Sequence, residues 1–285
     1  MNRIGEFYEF QRVDASQNEV VYGVANVGEF LEARDLTRSF GGVQAVNSVS
    51  FSVAKGELRG LIGPNGAGKS TLFHLISGHY YPDRGSLVFD GHRIENMSPA
   101  ARAKLGISIT FQAVHLFDGM TVLENVMVGG HSWTKHEWLE ASFRLPRCRR
   151  EEQGIREKAM WALAMVGIER YKYHLAKSLP LGMQRALQIA RALCSMPKLL
   201  LLDEPASGLR GDERRELLSL TEKLHENALT MILIEHDVDF VTKIASRISV
   251  LDQGQVIAEG TPDEIREDPM VISAYLGTAI SHEVN

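Results

Sequence analysis

Residues 63–71 read Gly63-Pro64-Asn65-Gly66-Ala67-Gly68-Lys69-Ser70-Thr71, three glycines followed by a cation and two hydroxyls. Glycines at this spacing let consecutive backbone N–H groups turn into one concave nest. A helix beginning at its edge adds further donors and a partial positive charge, and such a nest holds phosphate oxygens. Lys69 supplies a point charge for the β- and γ-phosphates of a nucleotide, and Ser70 offers a hydroxyl to Mg²⁺. Average composition makes a chance match in a chain this long a matter of roughly one in a hundred. A second group stands after the apolar run Leu199 to Leu202, where Asp203 and Glu204 are side by side. An apolar strand ending in two carboxylates sets them at the carboxyl edge of a sheet, where α/β proteins bind ligands. Asp203 is placed to hold Mg²⁺ through water, and Glu204 to orient and deprotonate an attacking water. Alone, such a carboxylate is often only a helix cap; the phosphate loop gives the pair its chemical sense. Glu235-His236-Asp237 leaves a third apolar stretch, Met231 to Ile234, at the same predicted edge, where His236 can make a polar contact to a γ-phosphate. Gln112, after Ile107 to Phe111, is placed to reach Mg²⁺ or the attacking water.

These residues need a particular set of elements to bring them together. The short apolar run Leu58 to Ile62 predicts a strand feeding the glycine loop. Leu72, Phe73, Leu75 and Ile76 then have helical spacing, with Gly78 as C-cap. Leu199 to Leu202 and Met231 to Ile234 are unbroken apolar runs suited to parallel strands buried on both faces. Between Leu31 and about Asp90 the texture is β-rich, and Ser48 to Val53 alternates with period two. Residues 137–165 are charged and helix-favouring, with a basic knot at Arg144, Arg147, Arg149 and Arg150 that reads as a solvated face. Arg185 to Met196 predicts an amphipathic helix closed by Pro197. The order of elements is that of an α/β fold.

Composition narrows the partners. The net charge of −5 argues against a nucleic-acid backbone as the main partner. Two cysteines in 285 residues make no disulfide framework, which fits a reducing cytosol. The longest apolar runs fall far short of the ~20 residues of a membrane helix. The N-terminal residues, with Arg3, Glu6 and Glu9 and no apolar core, are not those of a signal peptide.

Taken in order, Gly63 to Thr71, Gln112, Leu179 to Gln184, Leu199 to Glu204 and His236 resemble an ABC-type ATPase. The parts implied are Walker A, Q-loop, signature segment, Walker B and H-loop. The likeness covers about residues 32–277. Ser39-Phe40-Gly41-Gly42 resembles the segment that supplies an aromatic residue, so Phe40 is expected to stack on adenine. More narrowly, residues 40–46, 116–126 and 256–262, with Ala274-Tyr275-Leu276-Gly277, resemble ATP-binding subunits of branched-chain amino acid importers. The fold implied is a P-loop NTPase (RecA-like) core with an antiparallel β subdomain and an inserted helical subdomain at about 113–182. Residues 1–31 are then an N-terminal extension, 32–280 the nucleotide-binding domain and 281–285 a C-terminal tail.

The resemblance implies ATP and Mg²⁺ as ligands. ATP would touch Phe40 and Gly63 to Thr71; Mg²⁺ would be held by Ser70, Gln112 and Asp203; Glu204, His236 and Gln112 would act on the reaction. It implies a second ABC ATPase subunit, the same or different, stacked head to tail. It further implies separate membrane permease subunits and, indirectly, a solute-binding protein, with no nucleic acid. The expected location is the cytoplasmic face of the inner membrane, peripheral through the permease. Two departures stand out. Leu179-Pro180-Leu181-Gly182-Met183 has proline where the family carries a serine hydroxyl, and Arg210 replaces the usual aspartate of the D-loop. Two alternatives remain: a regulatory ATP-binding subunit with weak hydrolysis, and a non-transport ABC ATPase. Against the latter, no heptads lie between Lys69 and Asp203 and the chain carries one cassette.

Overall fold

A computed structural model describes residues 29–130 and 146–282, with side chains at 29–130 and 151–275. Residues 1–28, Arg144 and 283–285 lie outside the described residues, as do the side chains of Arg147, Arg149 and Arg150.

The chain opens with a hairpin, β1 (Leu31–Phe40) and β2 (Val43–Val53), then runs through β3 (Leu58–Ile62), the glycine loop and α1 (Lys69–Ser77). Next come β4 (Arg84–Phe89), β5 (His92–Arg93), α2 (Pro99–Leu105) and β6 (Ile107–Thr110). A helical region comes after them, with α3 (Val122–Gly129), α4 (Pro146–Met165) and α5 (Leu181–Leu193). The chain then returns through β7 (Leu199–Asp203), α6 (Gly211–Glu226), β8 (Thr230–Ile234), α7 (Val238–Ile244) and β9 (Arg247–Asp252). It closes with β10 (Gln255–Gly260), α8 (Pro262–Glu267) and α9 (Pro269–His282).

Two sheets result. The antiparallel one has the order β2-β1-β4-β5, and the other β10-β9-β3-β8-β7-β6. In the second sheet β9, β3, β8, β7 and β6 are mutually parallel and β10 is antiparallel. Its central strands show why their sequences are continuously apolar. Leu200, Leu202, Met231 and Leu233 face one core, shared with α3, α4 and α5. Leu199, Leu201, Ile232 and Ile234 face the other, shared with α1 and the antiparallel sheet. Both faces are covered, so neither set of alternate positions tolerates a polar side chain, and each buried Leu or Ile contributes roughly 1.5–3 kcal/mol.

Helix α1 is thus sandwiched between the two sheets through Leu72, Phe73, Leu75 and Ile76. Gly78 ends it in the left-handed region, φ 87°, and donates to the His74 carbonyl. Fully buried Arg102 reaches from α2 to the carbonyls of Leu75 and Ile76, which α1 itself leaves unpaired. A capping box of Thr121 and Glu124 starts α3.

Register places the loops. Leu61 and Asp203 both pair with Ile234, and Thr110 pairs with Leu202. The residues after β3, β8, β7 and β6 therefore emerge along one carboxyl edge. The glycine loop, Glu235-His236, Asp203-Glu204 and Gln112 are neighbours for that reason.

Candidate active site

The glycine loop wraps back on itself in a conformation that side chains resist. Gly63, Gly66 and Gly68 have φ of 151°, 81° and 102°. A Cβ on Gly63 would lie 2.1 Å from the Leu251 carbonyl oxygen, and one on Gly68 2.3 Å from that of Ala45. Backbone from β9 and β2 thus holds the loop on both flanks, and glycine is required there. Pro64 and Ala67 are buried while Asn65, Gly66 and Ser70 are exposed. The first turn of α1 holds no acidic residue and has no side-chain cap, which leaves its N–H groups and positive end open to an anion. Thr71 lies in that same turn, half-buried. Lys69 is buried and folds across the loop, donating to the carbonyls of Gly63 at 2.8 Å and Pro64 at 2.9 Å. Burial pulls its pKa down, while the charges of Glu204 and Asp203 push it back up. The cradle and the cation fit a phosphate chain.

Across from the loop, three sequence-predicted residues meet at one carboxylate. Gln112 Nε2 donates to Glu204 Oε2 at 2.7 Å. The His236 Nδ1 lies 3.8 Å from the same oxygen. Glu204 sits at φ 42°, a left-handed conformation that costs a non-glycine residue about 1–3 kcal/mol. Its N–H donates to the Ile234 carbonyl at 2.9 Å, which ties β7 to β8 just where the site begins. Asp203, the last residue of β7, is raised to about 6 by burial first and by Glu204, with Lys69 opposing. Ser70, Gln112 and Asp203 offer hydroxyl, amide and carboxylate oxygens, the donor type a hard cation such as Mg²⁺ takes. No group of three or more His, Cys, Asp or Glu among the described residues could hold a metal ion, so a cation here would need the hydroxyl, the amide and a phosphate as well. A carboxylate fixed by an amide donor beside an imidazole can hold a water and receive its proton.

Phe40 ends β1 about two-fifths exposed. The Arg38 guanidinium carbon lies 4.8 Å from its ring centroid, and Tyr80 meets it edge to face at 5.1 Å. Asp83 fixes this end of the strand, accepting from Arg38 Nη1 at 2.7 Å and the Ser39 N–H at 2.8 Å.

The segment 179–183 forms the start of α5. Pro180 is the N-cap residue, with no side-chain cap, and the Gly182 N–H donates to Glu213 Oε1 at 3.1 Å. Arg210 occupies the N-cap of α6.

Glu235 belongs to the site although the sequence pointed to a role only for its neighbour His236. It is fully buried; Oε1 accepts from the Ala206 N–H at 2.8 Å, and Oε2 has no hydrogen-bond partner. Its Oε2 lies 3.7 Å from His236 Nδ1, and burial pushes its pKa up to about 7. The available signal was its place directly after four apolar residues of a buried strand. Arg185 was equally inconspicuous in the sequence. It is buried in α5, bonds the Gln112 carbonyl and reaches the Ser207 carbonyl at 3.2 Å, joining the loops after β6 and β7.

A phosphate cradle, its lysine and a strand-end carboxylate pair on a sheet of this topology define a P-loop NTPase fold. The ABC transporter family model matches residues 46–207, more than half of the chain, and the chain belongs to that family of transport ATPases. A second model, branched-chain amino acid ATP-binding cassette transporter, matches residues 255–280. Over 250 residues the chain is 41% identical to the high-affinity branched-chain amino acid transport ATP-binding protein BraF of Pseudomonas aeruginosa, covering 87% of this chain and 98% of that one. It is 40% identical to LivG of Escherichia coli, of the same description, with the same coverage. Among solved structures, the ADP conformation of MJ1267, an ATP-binding cassette of an ABC transporter, matches with TM-score 0.77 and 32% identity over 88% of this chain and 99% of that one. The dimeric MJ0796 cassette matches with TM-score 0.67 and 25% identity over 81% and 98%.

Proposed function

We propose that this cassette hydrolyses ATP to power uptake of branched-chain amino acids or a related small solute through separate permease subunits. The observation that carries the catalytic part is the meeting of Gln112, Glu204 and His236 at one carboxylate opposite Lys69. Glu204 orients the attacking water and takes its proton, with Gln112 holding the carboxylate in place. Lys69 exchanges its bonds to the loop carbonyls for β- and γ-phosphate oxygens, and His236 contacts the γ-phosphate. Ser70, Gln112 and Asp203 hold Mg²⁺, which when bound neutralises phosphate charge. Phe40 stacks on the adenine, and Gly63 to Thr71 enclose the phosphates.

The cassette works as a head-to-tail pair, each ATP lying between one chain's phosphate loop and the other's Leu179 to Met183 segment. Among the described residues no helix is long and apolar enough to cross a membrane. An exposed apolar patch supports its docking place. Phe117, Met120, Tyr173 and Leu175 are all exposed, and the Ala176 N–H to Met120 carbonyl bond of 3.1 Å draws their two segments together. In this reading the chain sits on the cytoplasmic face of the inner membrane, held there by the permease. A solute-binding protein acts with the permease, and the substrate is chosen there. The names of BraF and LivG and the match at residues 255–280 support the substrate class.

The test is one strain and one variant. Deleting the gene should reduce leucine uptake, and wild-type protein should restore it. Glu204→Gln should not restore it, should retain ATP affinity, and should lower hydrolysis about a hundredfold or more. Wild-type turnover in that variant refutes Glu204 as the base. Unchanged leucine uptake on deletion refutes branched-chain amino acids as the transported class and points to the related small solute instead.

A further inference from the structure

Four ring contacts run without a break from the exposed end of β1 to the residue before Gln112. Phe40 meets Tyr80 at 5.1 Å, Tyr80 meets His74 at 5.0 Å, His74 meets His79 at 5.6 Å, and His79 meets Phe111 at 5.6 Å. All four are edge to face, with interplanar angles of 62–83°. That is the geometry in which ring quadrupoles attract.

Phe40 ends β1 about two-fifths exposed, with the Arg38 guanidinium 4.8 Å from its ring centroid and Tyr80 edge to face. Tyr80 is itself anchored. The left-handed turn at Gly78 brings the chain back over α1, and the Tyr80 N–H donates to the His74 carbonyl at 3.0 Å. The His74 side chain continues that anchor into the protein. It is half-buried, its Nδ1 has no hydrogen-bond partner, and burial and the neighbouring His79 both hold its pKa down. It therefore acts as a neutral aromatic wedge, and its imidazole is not used for hydrogen bonding through Nδ1. His74 lies on α1, whose first residue is Lys69. One helix thereby carries the phosphate cation at its start and the support of the exposed aromatic ring near its end.

We propose that Tyr80, backed by His74, is the positioning residue that holds the Phe40 ring for the nucleobase, so that α1 sets base and triphosphate at a fixed separation. This rests on the reading that Phe40 stacks on the base. It makes base recognition depend on a residue forty positions further along the chain, acting through the Phe40 ring.

Calorimetric titration of the full chain with ATP and, separately, with inorganic tripolyphosphate, both with Mg²⁺, tests it. Tyr80→Leu is expected to weaken ATP binding about two- to tenfold, the worth of one aromatic pair, and to leave tripolyphosphate binding unchanged. Tyr80→Phe keeps the ring and should bind ATP as wild type does. His74→Leu should give a smaller loss with the same selectivity, and carries the test if Tyr80→Leu does not fold. An equal loss for both ligands marks a purely structural role and overturns the proposal, as does no loss for either. Phe40→Leu separates the two readings. If it weakens ATP and Tyr80→Leu and His74→Leu do not, the positioning role alone fails; if it has no effect, the stacking reading fails and the proposal with it.

Discussion

Replacing Glu235 by glutamine isolates the electrostatic cost of burying a carboxyl group beneath the site. The side chain is fully buried, one oxygen accepts from the Ala206 N–H, and the other has no hydrogen-bond partner. Burial is the first cause of its displacement from 4.5 to about 7. The folded protein therefore binds the proton more tightly than the unfolded chain. Between about pH 4.5 and 7 the folded state holds more protons, so stability falls as pH rises through that window. At about 1.4 kcal/mol per tenfold, the loss is on the order of 3 kcal/mol once the group is ionised. Glutamine keeps an oxygen for the Ala206 N–H and cannot ionise. Glu235→Gln should thus match the wild type near pH 4.5 and exceed it by ~2–3 kcal/mol at pH 8, a gain of roughly 5 °C in Tm. Thermal unfolding of the nucleotide-free proteins at both pH values measures it. The comparison with wild type cancels carboxylates whose values are lowered by hydrogen bonds, such as Asp237 and Glu264, because both proteins contain them. A Tm difference that is the same at pH 4.5 and pH 8 refutes the reasoning.

Lys69→Ala removes the cation that bridges the Gly63 and Pro64 carbonyls, so ATP affinity should fall at least tenfold and turnover should vanish; unchanged calorimetric affinity would sink the phosphate-loop assignment. Pro180→Ser returns a hydroxyl to the N-cap of α5, and in a pair with a different cassette it should speed only the partner's site, by about ten- to a hundredfold, read by single-turnover hydrolysis with one base disabled at a time. Equal rates that ignore the substitution would mean that the backbone around Gly182 already suffices.

The phosphate loop was legible in the sequence because its parts are contiguous: the φ angles of Gly63, Gly66 and Gly68 and the position of Lys69 are set within one short stretch between a strand and a helix. Asp203, Glu204 and His236 were legible for a related reason. An apolar run covered on both faces can be recognised from composition, and the residues directly after it must emerge at the sheet edge. The family resemblance added Phe40 and the pairing of parts, which no local pattern implied.

Register decided the rest, and register is a long-range property. Nothing in residues 107–112 says that β6 lies beside β7, yet that pairing is why Gln112 reaches Glu204 across 92 positions. Glu235 was in plain sight beside His236, but a carboxyl after a strand is ordinarily solvated. Only the contact with Ala206 and the closure of the sheet edge show that it is buried. The contact of Gly182 with Glu213 was equally out of reach, since it joins the start of α5 to the first turn of α6. That contact bears on the departure at Pro180. The amide two positions beyond Pro180 is engaged within its own chain, so in the proposed head-to-tail pair a phosphate from the opposing cassette would have to displace a carboxylate there as well as do without the serine. The two features act on the same helix end, and the effect of Pro180→Ser is bounded by how readily Glu213 gives way.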